Sequence, residues 1–152
     1  MALIEIDGVS KTYALGDGRG LTAIDRIVLS IAEGEFVSII GPSGCGKSTL
    51  LHMIGGFVPC SDGKISVRGD TVRAPGPDRG IVFQHFALFP WMTVLGNVEY
   101  GLAERGVGKT ERRRVAQTFI DMVKLSGFEN TYPSRLSGGM QQRVAIARLL
   151  AC

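Results

Sequence analysis

The run Gly41-Pro42-Ser43-Gly44-Cys45-Gly46-Lys47-Ser48 sets glycines ahead of a lysine and a hydroxyl, in the order G-x-x-x-x-G-K-S. Glycines at that spacing let consecutive backbone N–H groups turn inward and form a concave anion site. A helix that follows such a loop adds the positive end of its dipole. Lys47 then reaches β- and γ-phosphates, the Ser48 hydroxyl coordinates Mg²⁺, and Thr49 continues the run into the helix. A glycine-rich turn would match the four specified positions by chance on the order of a few per cent of the time. The flanking strand and helix patterns lower that further. The chemistry implied is nucleotide-phosphate binding, with Cys45 a small filler within the loop.

A second group with anion-binding potential is Ser137-Gly138-Gly139, where a good N-cap precedes two glycines that leave helix-start N–H groups open. Alone, it reads equally well as an ordinary helix cap. Gln84 ends the apolar run Ile81-Val82-Phe83, a costly place for an amide without a partner. The stretch His85-Phe86-Ala87-Leu88-Phe89-Pro90-Trp91-Met92 is unusually aromatic for a loop. It reads either as packing for the helices that follow or as a groove whose aromatics anchor a partner helix. His52 and His85 read as ordinary polar residues.

The elements that must position these groups follow from periodicity. Alternation predicts strands over Leu3–Val9, Ile27–Ile31 and Lys64–Arg68, with turns at Gly16-Asp17-Gly18-Arg19-Gly20 and Ser61-Asp62-Gly63. Phe36–Ile40 and Ile81–Phe83 are short, apolar and β-branched, as strands covered on both faces are. A short helix follows the phosphate loop and ends near Gly55-Gly56. Val115, Phe119, Met122 and Val123 recur at helical spacing after Thr110 as N-cap, and a last helix follows Gly139. On that helix Met140, Val144, Ala147 and Ala151 form one stripe, while Ile146 and Leu149 point elsewhere.

With 45% hydrophobic and 20% charged residues, the 152-residue chain has the composition of a globular domain. Its 21 glycines show no three-residue period, which excludes a collagen-like chain. The net charge of +3 is too small to argue for nucleic acid, and the basic cluster of Lys109 and Arg112–Arg114 reads as a solvated helix start. Three cysteines without metal-ligand spacing make a disulfide framework or zinc site an unsuitable reading. No apolar run is long enough to span a membrane, and the N-terminus has no signal-peptide pattern, so the expected location is the cytosol.

Leu136-Ser137-Gly138-Gly139-Met140-Gln141-Gln142-Arg143 resembles the signature motif of the ABC (ATP-binding cassette) ATPases, with Met140 where many members have Gln. Gln84 resembles the family's Q-loop glutamine, and Tyr13, in Lys11-Thr12-Tyr13, the aromatic that stacks on adenine. These motifs follow the family's order from Leu3 to the last residue. The resemblance implies an α/β P-loop NTPase fold, an ABC-type core with an antiparallel β subdomain and a helical subdomain. The divisions it implies are about 1–92 for the core and β subdomain, 93–137 for the helical subdomain and 138–152 for the signature helix.

It implies ATP and Mg²⁺ as cofactors. Tyr13, Gly41 to Thr49 and Gln84 would hold ATP, with Ser48 and Gln84 on the metal. Ser137, Gly138, Gly139, Met140 and Gln141 would complete the ATP site of a second subunit in a head-to-tail homodimer. Its further partners are transmembrane permease subunits, which place the chain on the cytoplasmic face of the membrane. Phe89-Pro90-Trp91-Met92-Thr93-Val94 and Asn97-Val98 look most like importers of nitrate, sulfonate, taurine and similar anions.

Two other readings stand beside the importer. A non-transport ABC protein of the repair type carries a long coiled coil between the two motifs, and no such heptads lie between Ser48 and Ser137. A nucleotide-binding remnant without hydrolysis is the other. The family's Asp-Glu strand should follow the signature helix, and the nine residues after Arg143 contain no carboxylate. No catalytic base is therefore assigned, and the fold is expected to lack the C-terminal part of the core sheet. The 152 residues are expected to hydrolyse ATP near background, since a positioned base contributes ~10²–10⁴-fold. Phe36–Ile40 and the 80–83 strand are expected to lose neighbours, leaving apolar surface open.

Overall fold

The computed structural model describes residues 2–16 and 18–152. They form two compact units, Met1–Gly80 and Ile81–Cys152. Residues 81–92 thus group with the helices that follow them.

The first unit is an antiparallel sheet with one helix against it. Strands β1 (Ala2–Ala14), β2 (Gly20–Ala32), β3 (Asp62–Val67) and β4 (Asp70–Thr71) lie in the order β2-β1-β3-β4. Ile6 sits opposite Leu29 on one side and Ile65 on the other. Both long strands exceed the lengths that alternation predicts. The reason is a register shift between Ile6 and Val9 and others beyond it. Each shift breaks the period of two without ending the pairing. Gly18 (φ 80) donates to the Leu15 carbonyl in the expected turn, which here joins β1 to β2. Asp17 lies outside the described residues, and Gly20 already belongs to β2.

Helix α1 (Lys47–Ile54) buries Leu50 and Met53 with Ile6, Val9, Ile24 and Ile65. Each such side chain contributes about 1.5–3 kcal/mol when removed from water. This cluster holds α1, and with it the preceding loop, to the sheet.

Phe36–Ile40 departs from its expected class. It joins no strand, and Phe36 and Ile40 are each 93% exposed. Ile81–Phe83 likewise joins no strand but is half-buried. Apolar β-branched composition favours a sheet interior, yet a strand forms only where neighbours accept its N–H and C=O groups. Among the described residues neither segment joins the sheet.

The second unit packs three helices, α2 (Val94–Glu104), α3 (Lys109–Met122) and α4 (Gly138–Leu150). A 3₁₀ turn at Pro133–Arg135 precedes the last. Its core joins Val94, Val98 and Leu102 to Ala116 and Ile120, and to Val144, Ala147 and Ala151. The α4 stripe is as read from the sequence, with Leu149 on the open side. On α3 the details differ: Gly108 is the N-cap, Thr110 lies within the helix, and Met122 is exposed. Ala116 and Ile120 lie at the centre of its buried face. Glu111 takes two hydrogen bonds from Arg114, and Arg112 lies 3.8 Å from Glu99, so part of the basic cluster is paired.

Asn97, fully buried on α2, fixes the aromatic segment. Its Oδ1 accepts from Phe89 N at 2.8 Å, and its Nδ2 donates to the carbonyls of Phe89, Met92 and Thr93. Asn97→Leu strands these backbone groups, and the expected cost is about 2 kcal/mol. An earlier urea midpoint for the helical signal measures it; an unchanged midpoint would remove this role.

Candidate functional site

The loop before α1 is shaped by Gly44 (φ 81) and Gly46 (φ 94), both in the left-handed region that favours glycine. Gly46 is also the N-cap of α1, packed so that a Cβ there would collide with the Ala23 carbonyl and lie 2.8 Å from Ile24 Cδ1. The first helical bond runs from Leu50 N to Gly46 O, so the N–H groups of Lys47, Ser48 and Thr49 stand at the open end of the helix. Cys45 folds over Gly41, where a Cβ would lie 2.8 Å from its Sγ.

Lys47 straps the loop. Its ammonium donates to Gly41 O at 2.8 Å and Pro42 O at 2.7 Å, and lies 3.6 Å from Cys45 Sγ. Gly41, Pro42, Ser43, Gly44, Cys45 and Ser48 are exposed. Open N–H groups at a helix start, a cation anchored across the preceding loop and an exposed hydroxyl suit an anionic phosphate chain with a hard divalent cation. The donor set fits ATP and Mg²⁺.

Tyr13, near the end of β1, is 37% exposed, and the Lys11 ammonium lies 5.2 Å from its ring centroid. The ring is therefore engaged by a cation from its own strand. That contact is one the sequence reading did not anticipate.

Gln84 lies in the second unit, exposed, in a turn closed by Phe86 N donating to Phe83 O at 2.9 Å. It follows a segment that joins no strand, rather than ending one. The aromatic run after it divides between its two readings. Phe89 packs on Tyr100 at 4.5 Å and Leu88 against the core, while Trp91 is 69% exposed. Beside them, Ile81, Val82, Phe89, Tyr100, Ala145 and Leu149 line a largely apolar cavity of about 440 Å³.

Ser137 caps α4, its Oγ accepting from Met140 N at 3.3 Å. Gly138 and Gly139 are exposed, with no neighbour within 4 Å of an added Cβ. The next two residues face inward instead. Met140 packs against the helical core, and Gln141 donates its amide to Pro133 O and Leu136 O. Their side chains position the cap, leaving Ser137, Gly138 and Gly139 as the accessible part of the motif. Arg143 donates to Val123 O at 3.1 Å, tying the end of α3 to α4.

Among the described residues no three His, Cys, Asp and Glu side chains converge as a metal cage. Asp78 is ion-paired with Arg79, and Glu99 with Arg112. The cysteines are free thiols, and burial pushes that of Cys60 up. No helix among the described residues is long and apolar enough to cross a membrane.

Comparison with known proteins extends this picture. A profile described as ABC transporter matches residues 24–152. An uncharacterised ABC transporter ATP-binding protein of Methanocaldococcus jannaschii is 49% identical over 148 residues, 97% of this chain and 55% of that protein. The nitrate import ATP-binding protein NrtD of Synechocystis sp. is 48% identical over 149 residues, covering 98% of this chain and 56% of its own. The taurine import ATP-binding protein TauB of Burkholderia pseudomallei is 47% identical, covering 99% and 58%. The chain thus spans about half the length of the curated relatives it matches. Among solved structures, a dimeric bacterial ABC transporter cassette superposes with a TM-score of 0.88 at 40% identity, over 97% of this chain and 69% of the other. A dimeric post-hydrolysis state bound to ADP and Pi gives 0.87 at the same identity and coverage.

Proposed function

The chain belongs to the ABC transporter family, and on that premise we propose that it is the ATP-binding part of a subunit that energises import of a small solute. The observation that carries this is the loop before α1, where Gly44 and Gly46 are left-handed and Lys47 is strapped across the loop at a helix start, an arrangement suited to an anion. In this reading the loop N–H groups and Lys47 hold the β- and γ-phosphates of ATP. Ser48 and Gln84 hold Mg²⁺, and Tyr13 lies against the base, its cation contact given up or shared. ATP supplies the phosphoryl group whose transfer drives transport, and the chain's part is to position it.

Ser137, Gly138 and Gly139 serve the ATP of a second copy, a reading supported by the dimeric form of the solved relatives. The transmembrane permease partner docks beside Phe89 and the exposed Trp91, and holds the chain at the cytoplasmic face of the membrane. The relatives named for nitrate and taurine import support a small anion as the solute.

Lys47→Ala tests the core of the proposal. It removes charge-assisted bonds to the phosphates, each worth about 1.5–3 kcal/mol, so Mg-ATP affinity is expected to fall tenfold or more. A titration with a fluorescent ATP analogue measures it. Unchanged affinity would refute the phosphate-site assignment.

A further inference from the structure

Two residues beyond Gln84 the backbone is held in an unfavourable form. Phe86 (φ 56) and Ala87 (φ 46) are consecutive non-glycine residues in the left-handed region. Side chains resist that conformation, so surrounding contacts must over-determine it. Locally there are bonds from Phe86 N to Phe83 O and from Ala87 N to His85 O. Further support comes from Arg148, in the last turn of α4. Its Nη1 donates to Ala87 O at 2.8 Å and its Nη2 to Phe86 O at 3.2 Å. Its guanidinium also lies 5.4 Å from the centroid of the Phe89 ring.

One planar fork therefore grips the carbonyls of both strained residues, a geometry that a lysine cannot reproduce. Arg148 is half-buried there, and burial pushes its pKa down. An arginine in a last helical turn ordinarily serves its own helix's carbonyls. This one reaches back 61 and 62 residues.

We propose that Arg148 is a positioning residue that fixes the strained turn after Gln84 from the far end of the helix beginning at Ser137-Gly138-Gly139. Ser137 and Arg148 are ~16 Å apart along one helix. The turn carrying Gln84 and the exposed signature glycines are thus attached to the same rod. The inference rests on the proposed reading of Gln84 as a metal-side group. It adds the residue that sets that group's place.

The test uses the full chain and the variants Arg148→Lys, Arg148→Met, and Arg148→Met combined with Ala87→Gly. Trp91, the single tryptophan of the sequence, gives a readout without nucleotide, because it adjoins Phe89 in the gripped segment. The second readout is affinity for a fluorescent ATP analogue in Mg²⁺ and in chelator. Arg148→Met is expected to change acrylamide quenching of Trp91 and to lower the Mg²⁺ enhancement of affinity by about tenfold, a usual cost of losing an outer-shell partner. Metal-free affinity should stay within about twofold, since the phosphate loop is untouched. Arg148→Lys should fall between, and Ala87→Gly should restore much of both signals because glycine adopts the left-handed turn unaided.

Wild-type quenching and Mg²⁺ enhancement in Arg148→Met would overturn the proposal. So would equal loss with and without Mg²⁺ and no rescue by glycine, the mark of general damage. If the wild-type chain itself has no Mg²⁺-dependent affinity, the reading of Gln84 fails. The Trp91 quenching and its rescue by glycine then decide the role of Arg148 alone.

Discussion

Gly46→Ala is expected to destabilise the first unit by about 3 kcal/mol and to abolish measurable nucleotide binding with it. Two costs combine. An alanine at φ 94 is forced into a conformation that L-residues avoid, at about 1–2 kcal/mol. Its methyl must also displace the Ala23 carbonyl and Ile24 Cδ1, and overpacking of this kind typically adds about 1–3 kcal/mol. Neither neighbour yields easily, because Ile24 is 4% exposed in the cluster that holds α1 to the sheet. The loop and the core of the unit are therefore one structure at this residue. Thermal unfolding followed by circular dichroism, beside an ATP-analogue titration, measures both effects. Gly44→Ala is the control: its φ of 81 carries the conformational cost, but no atom lies within 4 Å of the added methyl. Equal losses in the two variants would show that packing against β2 is not the reason for glycine at position 46.

Much of this architecture is legible in the sequence. The fold is that of a P-loop ABC ATPase with an antiparallel β subdomain and a helical subdomain. The phosphate loop, the Ser137 cap and the apolar stripe of α4 can all be read from local spacing, because each depends on residues within a turn or two. What is not legible depends on distance. The full lengths of β1 and β2 are hidden by register shifts, which spoil alternation while preserving pairing. The roles of Asn97 and Arg148 are hidden because a polar residue within a helix pattern reads as a solvated position. Only tertiary structure brings the carbonyls of Phe89 or Ala87 to them. Met140 and Gln141 belong to a motif by sequence but face the core and the preceding turn by geometry. A motif lists residue types, and helix rotation decides which of them reach a ligand.

The same distinction between preference and partnership governs Phe36–Ile40. Phe36-Val37-Ser38-Ile39-Ile40 is apolar, rich in β-branched residues, uncharged and free of proline, the composition of an aggregation-prone segment. Its two end residues are each 93% exposed, and the segment joins no strand. Backbone and side chains are thus both open to association, which buried segments of like composition escape. The 152-residue chain is expected to enhance the fluorescence of an apolar-surface dye at temperatures well below its thermal transition. It should also precipitate at concentrations on the order of tens of micromolar, where such exposed segments associate. Phe36→Lys with Ile40→Glu should raise the soluble concentration several-fold and cut dye fluorescence by about half or more. Because neither side chain is buried, the thermal midpoint should stay within a few degrees. A large fall in that midpoint would mean that Phe36 and Ile40 are covered in solution. An unchanged dye signal with an unchanged midpoint would place the sticky surface elsewhere, with the exposed aromatics Phe57 and Trp91 the next to replace.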